Sequence, residues 1–344
     1  MTRRWPAALA LIVTLCAAGC GGDAPSPAPT PPPPDLDGPP PAIAVNPGPY
    51  DAGPISVPAS GAYLGAWVKP EVISQPGRLT AIRGLETGLG RDLDIVHTYR
   101  KWDEKFGTES DLEFMDAGAT LLFSWASGDT RSITSGEHDE LIRAQARRIA
   151  KAKRPVLMRF RWEMDRPNLR PSMWSGEDYV AAWRHVRRIF DAERAWNASW
   201  VWCPTSEGFE NGEAPAFYPG DDAVDWTCVD VYAGESFRSL GDLLTPFLHW
   251  AAQRPKPILI GEYGVAAAWG SERRAAWLRD ATRLFKANPQ IKGVCYFDSD
   301  PDGNPPEKQF QISGDVPAFA AFTELTRDPW FNQPTGPRRA RPKP

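Results

Sequence analysis

Histidine is scarce in this chain: four in 344 residues, at positions 97, 138, 185 and 249, with no H-x-H or H-E-x-x-H spacing. Metal-dependent hydrolases assemble their sites from such clusters, so no catalytic metal is expected. No glycine-rich phosphate loop follows an early apolar run, which argues against a doubly wound sheet; no cofactor is expected either. An excess of positive charge is also missing. Lys and Arg number 39 against 43 Asp and Glu, giving a net charge of −4 and a pI near 5.7, so nothing points to nucleic acid as a partner. Of the five cysteines, Cys203, Cys228 and Cys295 fall in strand-like runs without metal-site spacing. A Cys203–Cys228 bridge and buried free thiols are both compatible with that pattern.

What is present begins with a non-globular leader. Residues 1–20 carry Arg3 and Arg4, an apolar stretch over 7–18 and then Ala-Gly-Cys. This is the pattern of a secretory signal, too short for a spanning helix. The run AAGC at 17–20 resembles the lipobox of bacterial lipoproteins, with Ala17 where Leu is usual. The resemblance implies lipidation of Cys20 and a cell-surface protein held to the bacterial membrane from outside. Residues 21–60 are rich in Pro, Ala, Gly and Asp and read as a disordered, extended spacer. A catalytic domain is expected over 61–331 and a disordered basic tail over 332–344, with the chain acting as a monomer.

Within the domain, eight strand-like runs alternate with helical stretches: 62–68, 93–99, 120–126, 156–163, 199–203, 226–232, 258–262 and 293–297. Helices are clearest over 137–152, 177–191, 240–253, 271–288 and 316–327, while 205–224 reads as a loop. Strand–helix alternation repeated eight times over this length predicts a single (β/α)8 TIM barrel. Two runs, VLMRFRWEM at 156–164 and KPILIGEYG at 256–264, lead to Glu163 and Glu262. A carboxylate at the C-terminal tip of a buried barrel strand is costly unless it is paired or functional. Two of them are the equipment of a retaining glycoside hydrolase. Alternation places Arg159, Arg161 and Glu163 on one side of the fourth run. A structural salt bridge is the competing explanation for that strand alone.

The ordered motifs resemble clan A glycoside hydrolases, and most closely the family 26 β-mannanases. RFRWEM at 159–164 is similar to that family's R-P-x-H-E-M-N around the acid/base. DYVAAWRHV at 178–186, WVWCP at 200–204, YPGDD at 218–222, DW at 225–226, DVY at 230–232, KPILIGEYG at 256–264 and IKGVCYFD at 291–298 follow in order. The resemblance implies a retaining endo-β-glycosidase with Glu262 as nucleophile, Glu163 as acid/base, Tyr232 hydrogen-bonded to the nucleophile and Arg159 beside it. It implies a polysaccharide partner, foremost β-1,4-mannan. Trp162 and Asp165 depart from the family's His and Asn. A residue at position 162 that serves the substrate requires the strand end to bend.

Fifteen tryptophans are a large supply of flat surfaces for the apolar faces of sugars. Trp125, Trp162 and Trp174 are the candidate platforms, with Trp202 and Phe297 at the ends of the fifth and eighth runs as further sugar contacts. Trp183, Trp250 and Trp277 lie in helices and read as core. Hydrolysis of another β-glycan, such as mixed-linkage glucan, β-1,3-xylan or a cell-wall polysaccharide, and non-catalytic glycan binding are the alternative functions.

Overall fold

The computed structural model describes residues 34–300 and 305–332. Cys20 and the basic tail lie outside the described residues. Eight strands form the centre: β1 (Tyr63–Val68), β2 (Ile95–Arg100), β3 (Thr120–Trp125), β4 (Val156–Phe160), β5 (Ala198–Trp202), β6 (Trp226–Ala233), β7 (Ile258–Val265) and β8 (Ile291–Asp298). All pair in parallel in sequence order, and β8 closes on β1 from Tyr63↔Gly293 to Val68↔Asp298. The expected (β/α)8 barrel is the fold.

The helices are α1 (Gln75–Leu89), α2 (Glu109–Asp116), α3 (Thr130–Thr134), α4 (Asp139–Ala152), α5 (Arg170–Met173), α6 (Gly176–Ala192), α7 (Ser206–Glu210), α8 (Leu240–Ala251), α9 (Ser271–Ala287) and α10 (Val316–Arg327). Their ends follow local chemistry. Ser175 caps α6 by accepting from Asp178 N, and Glu177 and Asp178 in the first turn favour the positive end of the helix dipole. Tyr179, Ala182, Trp183, Val186, Ile189 and Phe190 then form the buried stripe that α6 lays on the barrel. Between β5 and β6 the chain makes only the short α7 and a 3-10 turn at Ala214–Phe217, in keeping with the loop expected there. Among the described residues, no helix is long and apolar enough to cross a membrane.

Strand alternation sorts the core into two parts. Ile95, Leu122, Leu157, Val201, Cys228, Leu259 and Cys295, one from each of β2 to β8, meet inside the barrel. Their neighbours along the strands, such as Phe123, Met158, Ile260 and Tyr263, pack outward beneath the helices. Cys203 and Cys228 are joined in a disulfide inside the barrel, which decides between the two states left open by the sequence, and Cys295 is a buried free thiol.

The spacer expected over 21–60 needs correction in its C-terminal part. Ala52 and Ile55 are buried against the apolar layer inside the barrel. Ser199 Oγ donates to Ala52 O at 2.9 Å, Trp226 Nε1 donates to the same carbonyl at 3.1 Å, and Ile55 N donates to Ser199 Oγ at 3.2 Å. Upstream, the Asn288 side chain accepts from the backbone of Ile43 and Ala44 and donates to Pro41 O. A short stretch of polar, Pro-rich chain therefore closes the barrel floor. Ile43, Ala44, Ala52 and Ile55, spaced among its prolines, give it enough to bury.

Candidate active site

Alternation carried one step further toward the C-terminal ends of the strands gives a buried polar layer above the apolar one. Inward from β2, β3, β4 and β6 come His97, Ser124, Arg159 and Asp230, all essentially inaccessible. Arg159 is the hub. It donates through Nη1 to both Asp230 oxygens at 2.6 and 2.8 Å, through Nε to Ser124 Oγ at 2.7 Å, and through Nη2 to Glu262 Oε1. Burial alone would favour loss of its proton. The carboxylates of Asp230 and Glu262 outweigh that and hold its pKa above the ordinary guanidinium value. His97 Nε2 lies 3.1 Å from Arg159 Nη2; burial, then the Arg159 charge, push its pKa well down, so the imidazole is neutral and can accept.

Above this layer the barrel opens into a cleft of about 630 Å³. Continued alternation brings Tyr99 from β2 and Tyr232 from β6, each two steps beyond Ile95 and Cys228, and Phe297 from β8, one step beyond Cys295, into its wall beside Trp67 from β1. Glu262 reaches the cleft by a different route. Counting from inward Leu259, plain alternation would turn residue 262 outward. Instead the β6–β7 register runs Val229↔Ile260 and then Asp230↔Glu262, skipping Gly261. A bulge of this kind re-aims the next side chain. Glu262 thereby accepts from Tyr99 Oη at 2.6 Å, from Tyr232 Oη and from Arg159. Both tyrosines have pKa values raised well above the phenol range, first by burial and then by the Glu262 charge, so they remain neutral donors.

Glu163 arrives through a bend. β4 ends at Phe160, and the backbone turns through positive φ at Arg161 (40°) and Glu163 (53°), a conformation non-glycine residues adopt at a cost. Arg161 N donates to Trp125 O and Glu163 N to Cys203 O, each at 2.8 Å, which anchors the turn. As a result Trp162 and Glu163 both line the cleft. The Trp162 ring lies 5.1 Å from that of Tyr99, with the Arg161 guanidinium 4.8 Å from its centre. The Glu163 pKa is raised: burial contributes most, the Arg166 hydrogen bond opposes it, and the Glu262 charge adds to the rise. Single carboxylate oxygens of Glu163, Asp230 and Glu262 fall within 4.8 Å of one another. Two of these carboxylates face open cleft, while Asp230 is sealed beneath them by Arg159.

Of the expected sugar contacts, Trp162, Tyr232 and Phe297 line the cleft, and Arg159 lies directly below it. Trp125 and Trp202 do not, and the expectation for them is corrected. Each is one residue out of phase with an inward neighbour, Ser124 or Val201. Each is fully buried beneath the helices. Trp125 stacks on Trp102 at 4.4 Å, and Trp202 packs against Tyr218 and Trp250. Trp174 is half exposed, but it is held by Asp129 at 2.6 Å and covered by the Arg131 guanidinium, away from the cleft wall. Asp165, one of the departures from the family motif, accepts from Thr205 N and Oγ1 and fastens the loop before α7. Trp67, one of several tryptophans that the sequence puts at strand tips, lines the cleft, and Tyr99, Arg166 and Phe310 join it without a motif to mark them. Tyr99 and Trp67 were findable by the same count of two along their strands.

No family model matches the chain. Over 290 residues it is 27% identical to endoglucanase H of Acetivibrio thermocellus, covering 77% of this chain and 30% of that protein. Over 283 residues it is 28% identical to the β-1,3-xylanase TXYA of a Vibrio species, covering 66% of this chain and 59% of that protein. The chain thus spans less than two thirds of the length of either relative. Among solved structures, a family 26 β-mannanase from Bacteroides ovatus superposes with a TM-score of 0.60 at 17% identity, over 79% of this chain and 90% of that one. An endo-β-1,4-mannanase double mutant from Cellulomonas fimi gives 0.56 at 15% identity, over 78% of this chain and 71% of that one. These structural likenesses establish the shared barrel.

Proposed function

We propose that the chain is a retaining, endo-acting β-glycan hydrolase of the family 26 type. The observation that carries the proposal is the pairing of Glu163 and Glu262 across an aromatic cleft, with carboxylate oxygens within 4.8 Å. Retaining enzymes hold their two carboxyls about 5–5.5 Å apart, whereas inverting ones leave about 6.5–9.5 Å for a water. Glu262, an acceptor from three donors, attacks the anomeric carbon. Glu163, kept neutral longer than an exposed carboxyl, gives its proton to the departing oxygen. Water then enters with Glu163 as base and releases the sugar with its configuration restored. Trp67, Trp162 and Phe297 offer flat surfaces for sugar faces. Around the catalytic pair, Glu207, Glu235 and Glu307 outnumber Arg166 and Lys308, which suits an uncharged polysaccharide better than an anionic one.

The motif resemblance supports β-1,4-mannan as substrate. Trp162, standing where the mannanase motif has His, favours a second reading in which the polymer is β-1,3-xylan or a glucan, the substrates in the names of the two curated relatives. A reducing-sugar screen over mannan, β-1,3-xylan and mixed-linkage glucan tests both, and Trp162→His should move activity toward mannan. An unchanged preference would show that Trp162 does not read the sugar. NMR of the first product should show the β-anomer; an α-anomer would sink the retaining assignment.

Export and lipid anchoring at Cys20 belong to the same proposal, on the strength of the leader sequence alone. Cys20→Ser should release the protein or leave its leader uncut. A processed, still anchored variant would overturn the lipobox reading.

A further inference from the structure

Glu163 has one side-chain hydrogen-bond partner among the described residues, and it comes from its own turn. Arg166 Nη2 donates to Glu163 Oε1 at 2.6 Å, while Arg166 N closes the turn on Glu163 O at 3.0 Å. The arginine side chain is 43% exposed, lines the cleft, and keeps its Nε buried without a partner. Other charged or titratable groups act on Glu163 from a distance: Arg159 on β4, Arg161 in the turn, Asp230 and Tyr232 on β6, and Glu262 on β7. The charges of Glu207 on α7 and of Asp230 also act on Arg166.

We infer that Arg166 is a positioning residue that sets the protonation of Glu163. Its guanidinium favours the carboxylate, and a leaving group entering over Glu163 has to share or displace that contact before the acid can donate. The inference rests on Glu163 being the acid/base. A guanidinium bonded to a carboxyl stabilises the charged form and so opposes proton donation in the first step. The same contact favours the base needed in the second step. Burial and the Glu262 charge act in the opposite sense, so Arg166 is the one adjustable counterweight in contact with the acid. Among the described residues the Arg166 side chain hydrogen-bonds only Glu163, so the half-exposed guanidinium can move without disturbing the barrel.

The test is the titration of the Glu163 carboxyl carbon, followed by NMR in glutamate-labelled protein and assigned by the signal missing from Glu163→Gln. In Arg166→Gln the midpoint should rise by roughly one pH unit or more. Arg166→Lys, which keeps the charge, should restore most of the wild-type value. The basic limb of kcat/KM on β-1,4-mannan, or on β-1,3-xylan if the screen selects it, should move upward with the midpoint. An unmoved Glu163 midpoint in Arg166→Gln overturns the inference whatever happens to activity. A midpoint that moves while the basic limb stays fixed overturns the acid/base assignment on which the inference rests.

Discussion

Gly261 has no side chain where Glu262 needs to turn inward. It is the residue skipped between the Val229↔Ile260 and Asp230↔Glu262 pairs. A Cβ built on it would lie 2.6 Å from Cys228 Sγ and 2.8 Å from both Arg159 Nη1 and Asp230 Oδ1. Bulge, disulfide and buried ion pair therefore compete for one volume, and glycine is the residue that fits.

Gly261→Ala should accordingly impair catalysis more than folding. Overpacking of this kind costs about 1–3 kcal/mol, which a calorimetric melting curve would register. A displacement of Glu262 by about 1 Å should lower kcat by about 100-fold. Wild-type kcat with a lowered Tm would mean that the bulge serves packing alone.

Tyr99 and Tyr232 hold the two oxygens of Glu262 from opposite sides. Tyr→Phe at either position removes one hydrogen bond to a charged group, worth about 1.5–3 kcal/mol, and keeps the aromatic face. kcat should fall about 10- to 100-fold with KM nearly unchanged. A rise in KM at constant kcat would instead mean that the hydroxyl serves the sugar in the ground state and not the nucleophile.

Much of this site follows from counting by two along strands. Inward Ile95 leads to His97 and Tyr99, and inward Cys228 leads to Asp230 and Tyr232; in each case the last member lines the cleft. Choosing tryptophans by nearness to a strand tip ignored that phase, which is why Trp125 and Trp202 were expected at the sugar and found under the helices. Glu163 and Glu262 were legible as strand-tip acids, but their routes were not. One depends on a strand that ends early and turns through positive φ, the other on a bulge at Gly261, and neither has a periodic signature. The floor segment was hidden for a related reason. Its composition is that of a linker, and only the tertiary fit of Ala52 and Ile55 reveals it as part of the domain.

That floor makes a direct prediction about the domain boundary. A chain beginning at residue 61 loses the burial of Ile55 and Ala52 and leaves Ser199 and Trp226 without the Ala52 carbonyl. Burying one Ile side chain is worth about 1.5–3 kcal/mol. Compared with a chain beginning at residue 34, the shorter one should therefore be destabilised by roughly 3 kcal/mol or more. Chemical denaturation of the two proteins measures this directly. Equal stabilities would return residues 34–60 to the status of a spacer.

The two glutamates should fail in different ways, and that difference separates catalysis from a structural ion pair. Glu262→Ala removes the nucleophile, so every substrate should lose several orders of magnitude in rate. The change also leaves Asp230 as the one carboxylate bonded to the buried Arg159 among the described residues, so some loss of stability should accompany it. Glu163→Ala removes only protonation and later base assistance. Substrates with a good leaving group, such as dinitrophenyl glycosides, need little protonation and should keep much of their first-step rate. The glycosyl ester on Glu262 should then accumulate, and azide should speed its breakdown because an anionic nucleophile needs no base. Among the described residues the Glu163 side chain hydrogen-bonds only Arg166, which is 43% exposed, so its loss should leave the fold intact. Equal rate losses for good and poor leaving groups, or unfolding of Glu163→Ala, would remove Glu163 from the role of acid/base.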